Sequence, residues 1–333
     1  MKKNRPILLS LILLFVISSC NLPVNDSTPA AEVSPATEAP ATSTFTPEPT
    51  VEEPTATIAP SPTPEPPTPT KTIPHSLIPA TNIKMGKLIN DVTSVDTAAE
   101  GRAPYGDLYK ANLFERPFLQ DMTYVADLDI VSYNLAYDEK FYYISIELVG
   151  TNPNNPMGIN YAVELDLNRD GFGDYVILAS PPHNVNWTTD NVQVFQDTDR
   201  DTGGLSAELS DGPLPGNGYD TLIFNGGRGE NDTDLDLAWA RVNAGDKATV
   251  QFAFKKALAG DKFLYGVLAD GGPKNVEDLD YVDRFSEEQA GSPVRDEEFF
   301  PLKALFGVDN VCREAFGFIG TNQEPQRCKM GRQ

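Results

Sequence analysis

The sequence predicts an all-β protein, an antiparallel β-sandwich of the jelly-roll or immunoglobulin-like kind, with short helices and a disordered N-terminal stalk. Three observations predict this class. Apolar and polar residues alternate along many short segments, which is the two-residue period of a strand with one buried face. Gly, Asn, Asp and Pro fill the gaps between these segments, and helical periodicity is weak and brief. Many short strands separated by turn residues are typical of two-sheet proteins.

The clearest strands form a predicted hairpin in DIVSYNLAYDEKFYYISIELVG, residues 129–150. In its first strand, the side chains expected to point inward are those of Val131, Tyr133, Leu135 and Tyr137. Those of its second strand are Tyr142, Ile144, Ile146 and Leu148, and those of YAVELDL are Tyr161, Val163 and Leu165. Further strands are predicted in DYVILAS, VQVFQD, DTLIFN, ATVQFAFK and FLYGVLAD. Brief helices are predicted at residues 254–259, 287–290 and 302–306.

The first 19 residues have the pattern of a lipoprotein signal peptide. A basic start, MKKNR, precedes an apolar run from Ile7 to Ile17, which is too short for a span of about 20 residues but fits a signal sequence. ISSC then resembles a bacterial lipobox, which implies cleavage before Cys20 and lipidation of its thiol. The predicted location is therefore extracytoplasmic, with the chain anchored to the bacterial cell membrane at the cell surface. The alternative is an ordinary secreted protein.

Residues 20–79 are predicted to form a disordered stalk that begins with the lipidated Cys20. Pro, Thr, Ser, Ala and Glu dominate it, as in TFTPEPTVEEPTATIAPSPTPEPPTPT. Such a segment buries too little apolar surface to offset the entropy of ordering it, and repeated X-Pro favours extended polyproline II. A spacer is the main interpretation, and a Pro-rich ligand for a partner domain is the alternative. Residues 80–299 should then form the sandwich, and 300–333 a C-terminal extension.

The net charge of −22 and the three cysteines limit the classes of partner. The negative charge argues against nucleic acid and anionic lipid head groups, because both attract Lys and Arg. It is compatible with divalent cations and with neutral polymers. Cys312 and Cys328 are expected to form a disulfide bond in an oxidising compartment. The chain has no Cys-x-x-Cys and only two histidines, which disfavours a structural zinc site.

One stretch of the chain resembles a known family. LDIVSYNLAYDEKFYYISIELVG, YAVELDLNRDGFGDYVILAS and VQFAFKKALAGDKFLYGVLAD together resemble the β-sandwich of family-nine carbohydrate-binding modules and the related DOMON domains. The resemblance covers residues 125–270. The opening DG…W segment of that family is absent, and RAPYGDLYKANLFERPFLQDMTYVADLDI stands in its place. The resemblance implies a sandwich and suggests an extracellular glycan as ligand.

VELDLNRDGFGDYVIL carries a candidate calcium loop. Asp166, Asn168 and Asp170 occupy positions 1, 3 and 5 of a D-x-N-x-D-G pattern, with the Phe172 carbonyl at position 7 and Asp174 at position 9. Calcium prefers six to eight oxygen ligands, and this turn offers about five of them. Position 12 lacks the expected acid, so the pattern is not a complete EF-hand loop. The alternative is a polar turn whose side chains bond the backbone.

A second acidic stretch, QDTDRDTGG, places Asp197, Asp199 and Asp201 at every other position. On an extended segment these side chains point the same way and repel one another unless a cation lies between them. A loop that spreads them into solvent is the alternative.

Three aromatic residues are candidates for ligand contact. Trp187 lies in a polar loop and could stack on a sugar ring, whereas Trp239 is expected in the core. Tyr105 and Tyr109 are candidates for a surface patch or for a cover over one end of the sandwich.

The predicted function is non-catalytic binding of extracellular glycan by a surface lipoprotein whose sandwich is stabilised by Ca²⁺. No Gly-x-Ser-x-Gly or P-loop is present. The alternatives are a secreted hydrolase acting on polysaccharide and a purely structural surface module. A glycosidase requires two suitably spaced carboxylates, for which Glu115, Asp121, Asp127 and Asp129 are candidates.

Overall fold

The structure, a computed structural model, describes residues 72–104, 107–203, 216–230, 232–243, 248–294, 301–321 and 323–328. The predicted signal peptide, the lipidated Cys20, nearly all of the stalk and Tyr105 lie outside these ranges. Within them, no helix has the length and hydrophobicity needed to cross a bilayer.

The described chain folds into two antiparallel sheets, which confirms the predicted all-β sandwich. In chain order the strands are β1 (Ile89–Asn90), β2 (Glu115–Arg116), β3 (Ile130–Tyr137), β4 (Phe141–Leu148), β5 (Asn160–Asp166), β6 (Tyr175–Ala179), β7 (Val192–Gln196), β8 (Thr221–Asn225), β9 (Ala238–Asn243), β10 (Thr249–Lys255), β11 (Phe263–Asp270), β12 (Val308–Asn310) and β13 (Glu314–Phe316). The first sheet has the order β1-β3-β4-β10-β9. The second has the order β2-β12-β11-β5-β6-β7-β8, and β13 also pairs with β11.

The main core lies between the two sheets, and alternation in the sequence predicts most of it. The predicted inward faces of β4 and β5 are all buried in this core, as are Tyr133 and Leu135 of β3. The prediction is wrong for Val131, because the pairing of β3 with β4 shifts between Ile130 and Ser132. Such a bulge adds one residue to the strand and changes which side chains point inward. The prediction is also wrong for Tyr137, which ends β3 and is 60% exposed.

The short helices are α1 (Lys256–Ala259), α2 (Tyr281–Arg284) and α3 (Glu287–Ala290), with 3₁₀ turns at Ala98–Glu100, Tyr109–Ala111 and Val276–Asp278. Two of the three predicted helices are found, although α1 begins only after β10 ends at Lys255. The helix predicted at residues 302–306 is wrong. Leu302 instead forms a β-bridge with Gly291, and the Leu305 carbonyl accepts a hydrogen bond from Arg116 at 2.7 Å.

Both ends of the described chain pack onto the sandwich. Residues 73–79, which the sequence assigns to the stalk, include the buried Ile73 and continue into a segment that covers the outer face of the first sheet. The C-terminal extension supplies β12 and β13 to the second sheet. The folded part therefore extends beyond residues 80–299 on both sides.

Candidate functional site

A pocket of about 400 Å³ opens on the outer face of the first sheet. Its floor is formed by β4 and β10, and the segment of residues 81–85 forms one wall. Trp187 and Arg241 also line it. The pocket exists because the N-terminal segment crosses a sheet face that would otherwise face solvent.

Trp187 is the predicted ligand-contacting residue that the structure places in this pocket. Its loop is fixed by two backbone hydrogen bonds between Thr188 and Ala240, at 3.1 and 3.0 Å. The indole Nε1 donates to the Ala80 carbonyl at 3.0 Å. The Arg241 guanidinium lies 4.4 Å from the indole centroid, close enough for a cation–π interaction. The half-buried indole is therefore held in one orientation before any ligand binds.

Polar side chains follow the same sheet face from strand to strand. Arg241 donates from Nε to Gln251 Oε1 at 2.6 Å and from Nη2 to the Thr81 carbonyl at 2.9 Å. Gln251 donates in turn to Ser145 Oγ at 3.4 Å. Burial lowers the pKa of Arg241, but a guanidinium stays protonated at neutral pH. Among the described residues that line the pocket, Arg241 and Lys84 are cationic and none is a carboxylate.

One carboxylate holds residues 75–77, which lead into the pocket wall. Asp236 accepts hydrogen bonds from the Ser76 amide at 3.0 Å, the Ser76 hydroxyl at 2.8 Å and the Leu77 amide at 2.9 Å. His75 Nδ1 lies 2.8 Å from the other oxygen of Asp236, and its ring contacts Trp239, which is buried as expected. The shape of the pocket therefore depends on a contact outside the pocket.

The first acidic turn is a network in which side chains bond the backbone. Asp166, fully buried, accepts from the Arg169 amide at 2.5 Å and the Gly171 amide at 3.0 Å. The Arg313 guanidinium lies 3.4 Å from Asp166 and donates to the Gly171 carbonyl at 2.7 Å. Burial raises the pKa of Asp166 to about 6 even though Arg313 opposes that shift. Arg313 thus supplies a positive charge at position 1 of the predicted calcium loop.

The other predicted ligands of this loop also bond backbone amides. Asn168 accepts from the Asp170 amide at 2.9 Å, Asp170 from the Phe172 amide at 3.0 Å, and Asp174 from the Leu167 amide at 2.6 Å. Burial raises the pKa of Asp174. These bonds are those of a polar turn, and calcium binding at this turn stays a prediction.

The second acidic turn has the same pattern of side-chain to backbone hydrogen bonds as the first. Asp197 accepts from the amide three residues later at 2.6 Å and from the amide five residues later at 3.0 Å, as Asp166 does. The two turns are joined by a β-bridge between Phe172 and Gly203 and by an ion pair between Arg200 and Asp170. Asp197, Asp199 and Asp201 each place a carboxylate oxygen within 4.8 Å of the others. The three carboxylates therefore lie close together in a turn and not on an extended segment, and their binding of a cation stays a prediction.

The remaining predicted residues have other surroundings. Tyr109 packs edge-on against Phe114 with ring centroids 5.0 Å apart, and Arg116 donates to its hydroxyl at 3.3 Å. It does not line the pocket of Trp187. Cys312 and Cys328 form the predicted disulfide, with their Cα atoms 5.1 Å apart.

Sequence reasoning missed one group of side chains as a unit. Glu115, Asp129 and Asp309 each place a carboxylate oxygen within 4.8 Å of the others, and all three are buried. Glu115 and Asp129 were candidates only as hydrolase acids, and Asp309 was not a candidate at all. Their positions follow no motif, so only the pairing of β2 with β12 could have indicated that they meet.

No protein-family model, curated protein or solved structure matches this chain. Function is therefore inferred from the pocket and from the acidic groups themselves.

Proposed function

We propose that this chain is a surface-anchored bacterial lipoprotein whose sandwich binds an extracellular glycan without catalysis, in the pocket beside Trp187. The observation that carries the proposal is the combination of a fixed, half-buried indole with the polar row Arg241, Gln251 and Ser145. A sugar ring has an apolar face that packs on an aromatic ring and hydroxyls that need hydrogen-bond partners. Ligand pockets commonly measure about 300–1,000 Å³ and combine aromatic side chains with a few placed polar groups.

The charge of the pocket favours glycans that carry acidic groups over basic ligands. The lining contains Arg241 and Lys84 without a carboxylate among its described residues, although the whole chain has a net charge of −22. A guanidinium can bind a carboxylate through two parallel hydrogen bonds. A uronic acid therefore matches this lining at least as well as a neutral sugar does.

Ca²⁺ belongs to this proposal as a stabilising ion at the paired acidic turns. The motivation is the convergence of Asp197, Asp199 and Asp201 within 4.8 Å on a loop that directly contacts the turn of Asp166 and Asp170. An ion there would reduce the repulsion among neighbouring carboxylates. Extracellular calcium modules typically bind with Kd of about 10⁻⁴ to 10⁻³ M.

Two of the four candidate acids, Asp121 and Asp127, give the hydrolase alternative no support. Asp127 accepts hydrogen bonds from the Asn152 amide at 2.8 Å and from Asn155 Nδ2 at 2.7 Å. Asp121 accepts from the Thr123 amide at 2.9 Å. Both carboxylates thus stabilise local turns, and neither lines the pocket of Trp187.

A glycan array with the purified chain, followed by titration calorimetry on the best ligands, tests the proposal. Trp187→Ala should weaken binding up to about tenfold, because a stacked aromatic contact contributes about 0.5–1.5 kcal/mol and tenfold corresponds to about 1.4 kcal/mol. Arg241→Gln should weaken the binding of acidic glycans more than that of neutral ones. Tyr137→Ala is the matched control, since that aromatic residue is exposed and does not line the pocket.

Three outcomes would contradict the proposal. Wild-type protein that retains no glycan indicates a purely structural module. Equal affinity of Trp187→Ala and wild type places the binding site elsewhere. Release of reducing ends from a bound polysaccharide indicates a hydrolase.

A further inference from the structure

A buried acidic centre joins the two sheets at the end where β1, β2, β3 and β12 meet. Asp91 directly follows β1 and Asp129 directly precedes β3, both in the first sheet. Glu115 lies on β2 and Asp309 on β12, in the second sheet, and these two residues are direct cross-strand partners. Like charges directly opposite each other on paired strands are destabilising. Something must therefore offset the repulsion within this centre.

Three of these carboxylates are removed from water and lie close together. Glu115 is 6% exposed, and Asp129 and Asp309 are fully buried. One oxygen from each lies within 4.8 Å of the others. Among the described residues, no Lys, Arg or His forms an ion pair with any of them or with Asp91. The centre therefore concentrates carboxyl groups without a protein cation.

Hydrogen bonds to one oxygen of each carboxylate orient these three side chains. Asp129 Oδ2 accepts from the Ser94 amide at 2.9 Å and from the Tyr124 hydroxyl at 2.6 Å. Asp309 Oδ2 accepts from the Ile130 amide at 2.6 Å, and Glu115 Oε1 accepts from the Ser94 hydroxyl at 2.6 Å. Donors of this kind fix metal-binding carboxylates in position in many proteins.

Three of the four carboxylates keep one oxygen without a partner. Oδ1 of Asp129, Oδ1 of Asp309 and Oδ2 of Asp91 are buried and accept no hydrogen bond. Buried polar atoms are nearly always paired with protein, water or an ion, so unpaired oxygens on neighbouring carboxylates point to a ligand. This observation is independent of the clustering itself.

We propose that Glu115, Asp129 and Asp309, with Asp91 beside them, bind a divalent cation, and that the cation is Ca²⁺. The donors are oxygens alone, which suits a hard cation, and no Cys or His contributes among the described residues. Two oxygens that both contact Ca²⁺ at about 2.4 Å can be at most about 4.8 Å apart. The 4.8 Å limit on the three carboxylates is thus compatible with a single shared ion.

Protons are the competitor for this site. Burial raises the pKa of Asp129 to about 6 and that of Asp91 to about 8. It also raises the pKa of Glu115 and of Asp309 well above the ordinary values, and neighbouring carboxylates add to both shifts. A bound divalent ion favours the ionised carboxylates and displaces those protons.

The test is thermal unfolding of the purified full chain, stripped of metal, in excess chelator and in millimolar CaCl₂. Wild type should melt at a higher temperature in CaCl₂, because an ion that binds only the folded state stabilises it. The change in melting temperature that Asp309→Asn causes, relative to wild type, should have opposite signs in the two conditions. In chelator it should melt at or above the wild-type temperature, since a buried amide is neutral without a bound proton or a cation. In CaCl₂ it should melt below wild type, since one ligand is lost.

Glu139→Gln is the matched control, because it removes an exposed carboxylate from the turn between β3 and β4 and leaves both acidic turns and the buried centre intact. It should show the same response to CaCl₂ as wild type. Asp199→Asn separately reports any ion at the second acidic turn. Three results would overturn the proposal. The first is a wild-type melting temperature that is the same in both conditions, and the second is an Asp309→Asn decrease in melting temperature that is equal in both, as a hydrogen-bonding role alone would give. The third is a calcium response that Asp199→Asn abolishes and Asp309→Asn retains.

A second measurement covers the case in which Asp309→Asn does not fold. Tb³⁺ replaces Ca²⁺ at oxygen sites and is excited by transfer from a nearby tyrosine. Tyr124, whose hydroxyl is 2.6 Å from Asp129 Oδ2, should be the main donor. Tyr124→Phe should lose at least half of the sensitised emission while Ca²⁺ still displaces the Tb³⁺. Unchanged emission from this variant would place the ion elsewhere and overturn the proposal.

Discussion

Arg313 is a buried cation on which the stability of the second sheet should depend. Its side chain is 2% exposed. Nε donates to Glu164 Oε2 at 2.9 Å, and Nη1 donates to the Gly171 carbonyl at 2.7 Å and lies 3.4 Å from Asp166 Oδ2. Burial alone would raise the pKa of Glu164, but Arg313 and the Tyr219 hydroxyl outweigh it and lower that pKa. Arg313→Met keeps the aliphatic stem and removes the charge.

The expected loss from Arg313→Met is about 3–5 kcal/mol of unfolding free energy, because it leaves buried carboxylates without their cation. For a domain of this size 1 kcal/mol shifts Tm by about 2–4 °C, so Tm should fall by on the order of 10 °C. The double variant Arg313→Met with Glu164→Gln should be more stable than Arg313→Met alone. Removal of both charges leaves less uncompensated charge than removal of one.

Urea unfolding, monitored by tryptophan fluorescence, measures these differences. Arg228→Met is the matched control, since its ion pair with Asp190 is exposed by 40% and 51% and such pairs contribute about 0–1 kcal/mol. An Arg313→Met loss no larger than that of Arg228→Met would refute the assignment of a stabilising role to the buried guanidinium.

Three further predictions concern the two ends of the chain. Replacing Cys312 and Cys328 with Ser should lower the free energy of unfolding in urea by about 3 kcal/mol, because a disulfide across a sequence separation of 16 stabilises the fold by about that amount. Reductant should have the same effect on wild type and none on the variant. Burial alone would raise the pKa of Asp236, but its hydrogen bonds from the N-terminal segment lower it. Its contribution should therefore be complete above about pH 4 and be lost as the pH falls further. Asp236→Asn should increase hydrogen exchange in residues 73–77 at neutral pH, and equal exchange in both proteins would contradict that role. Cys20→Ser should release the chain from the membrane fraction, whereas a variant that stays membrane-bound would contradict lipid anchoring.

The strands could be predicted because alternation is a local property of the sequence. Tyr142, Ile144, Ile146 and Leu148 alternate along the sequence and point into the same core. The same rule fails at Val131, because a bulge depends on the partner strand and leaves no mark in a two-residue period. The helix at residues 302–306 fails for a similar reason, since Leu302 pairs with Gly291 and long-range contacts override weak helical propensity.

The candidate sites also differ in whether they depend on local sequence or on long-range contacts. Asp197, Asp199 and Asp201 are neighbours in sequence, so their cluster could be read directly from it. Trp187 could be chosen as an aromatic residue in a polar loop, but its pocket depends on residues 81–85, which lie about 100 positions earlier in the sequence. Asp309 meets Glu115 only because β12 pairs with β2. No spacing rule connects them.

The number of carboxylates at an acidic site is a poor guide to its need for a cation. At the first turn, backbone amides occupy both oxygens of Asp166, and Arg313 supplies positive charge. At the second turn, Asp197 is bonded in the same way, and Asp199 is exposed to water that can screen it. At the buried centre, Asp129 and Asp309 each keep an unpaired oxygen with neither an Arg nor solvent beside it. The balance of charge and hydrogen bonding therefore favours a cation most strongly at the centre that no sequence motif indicated.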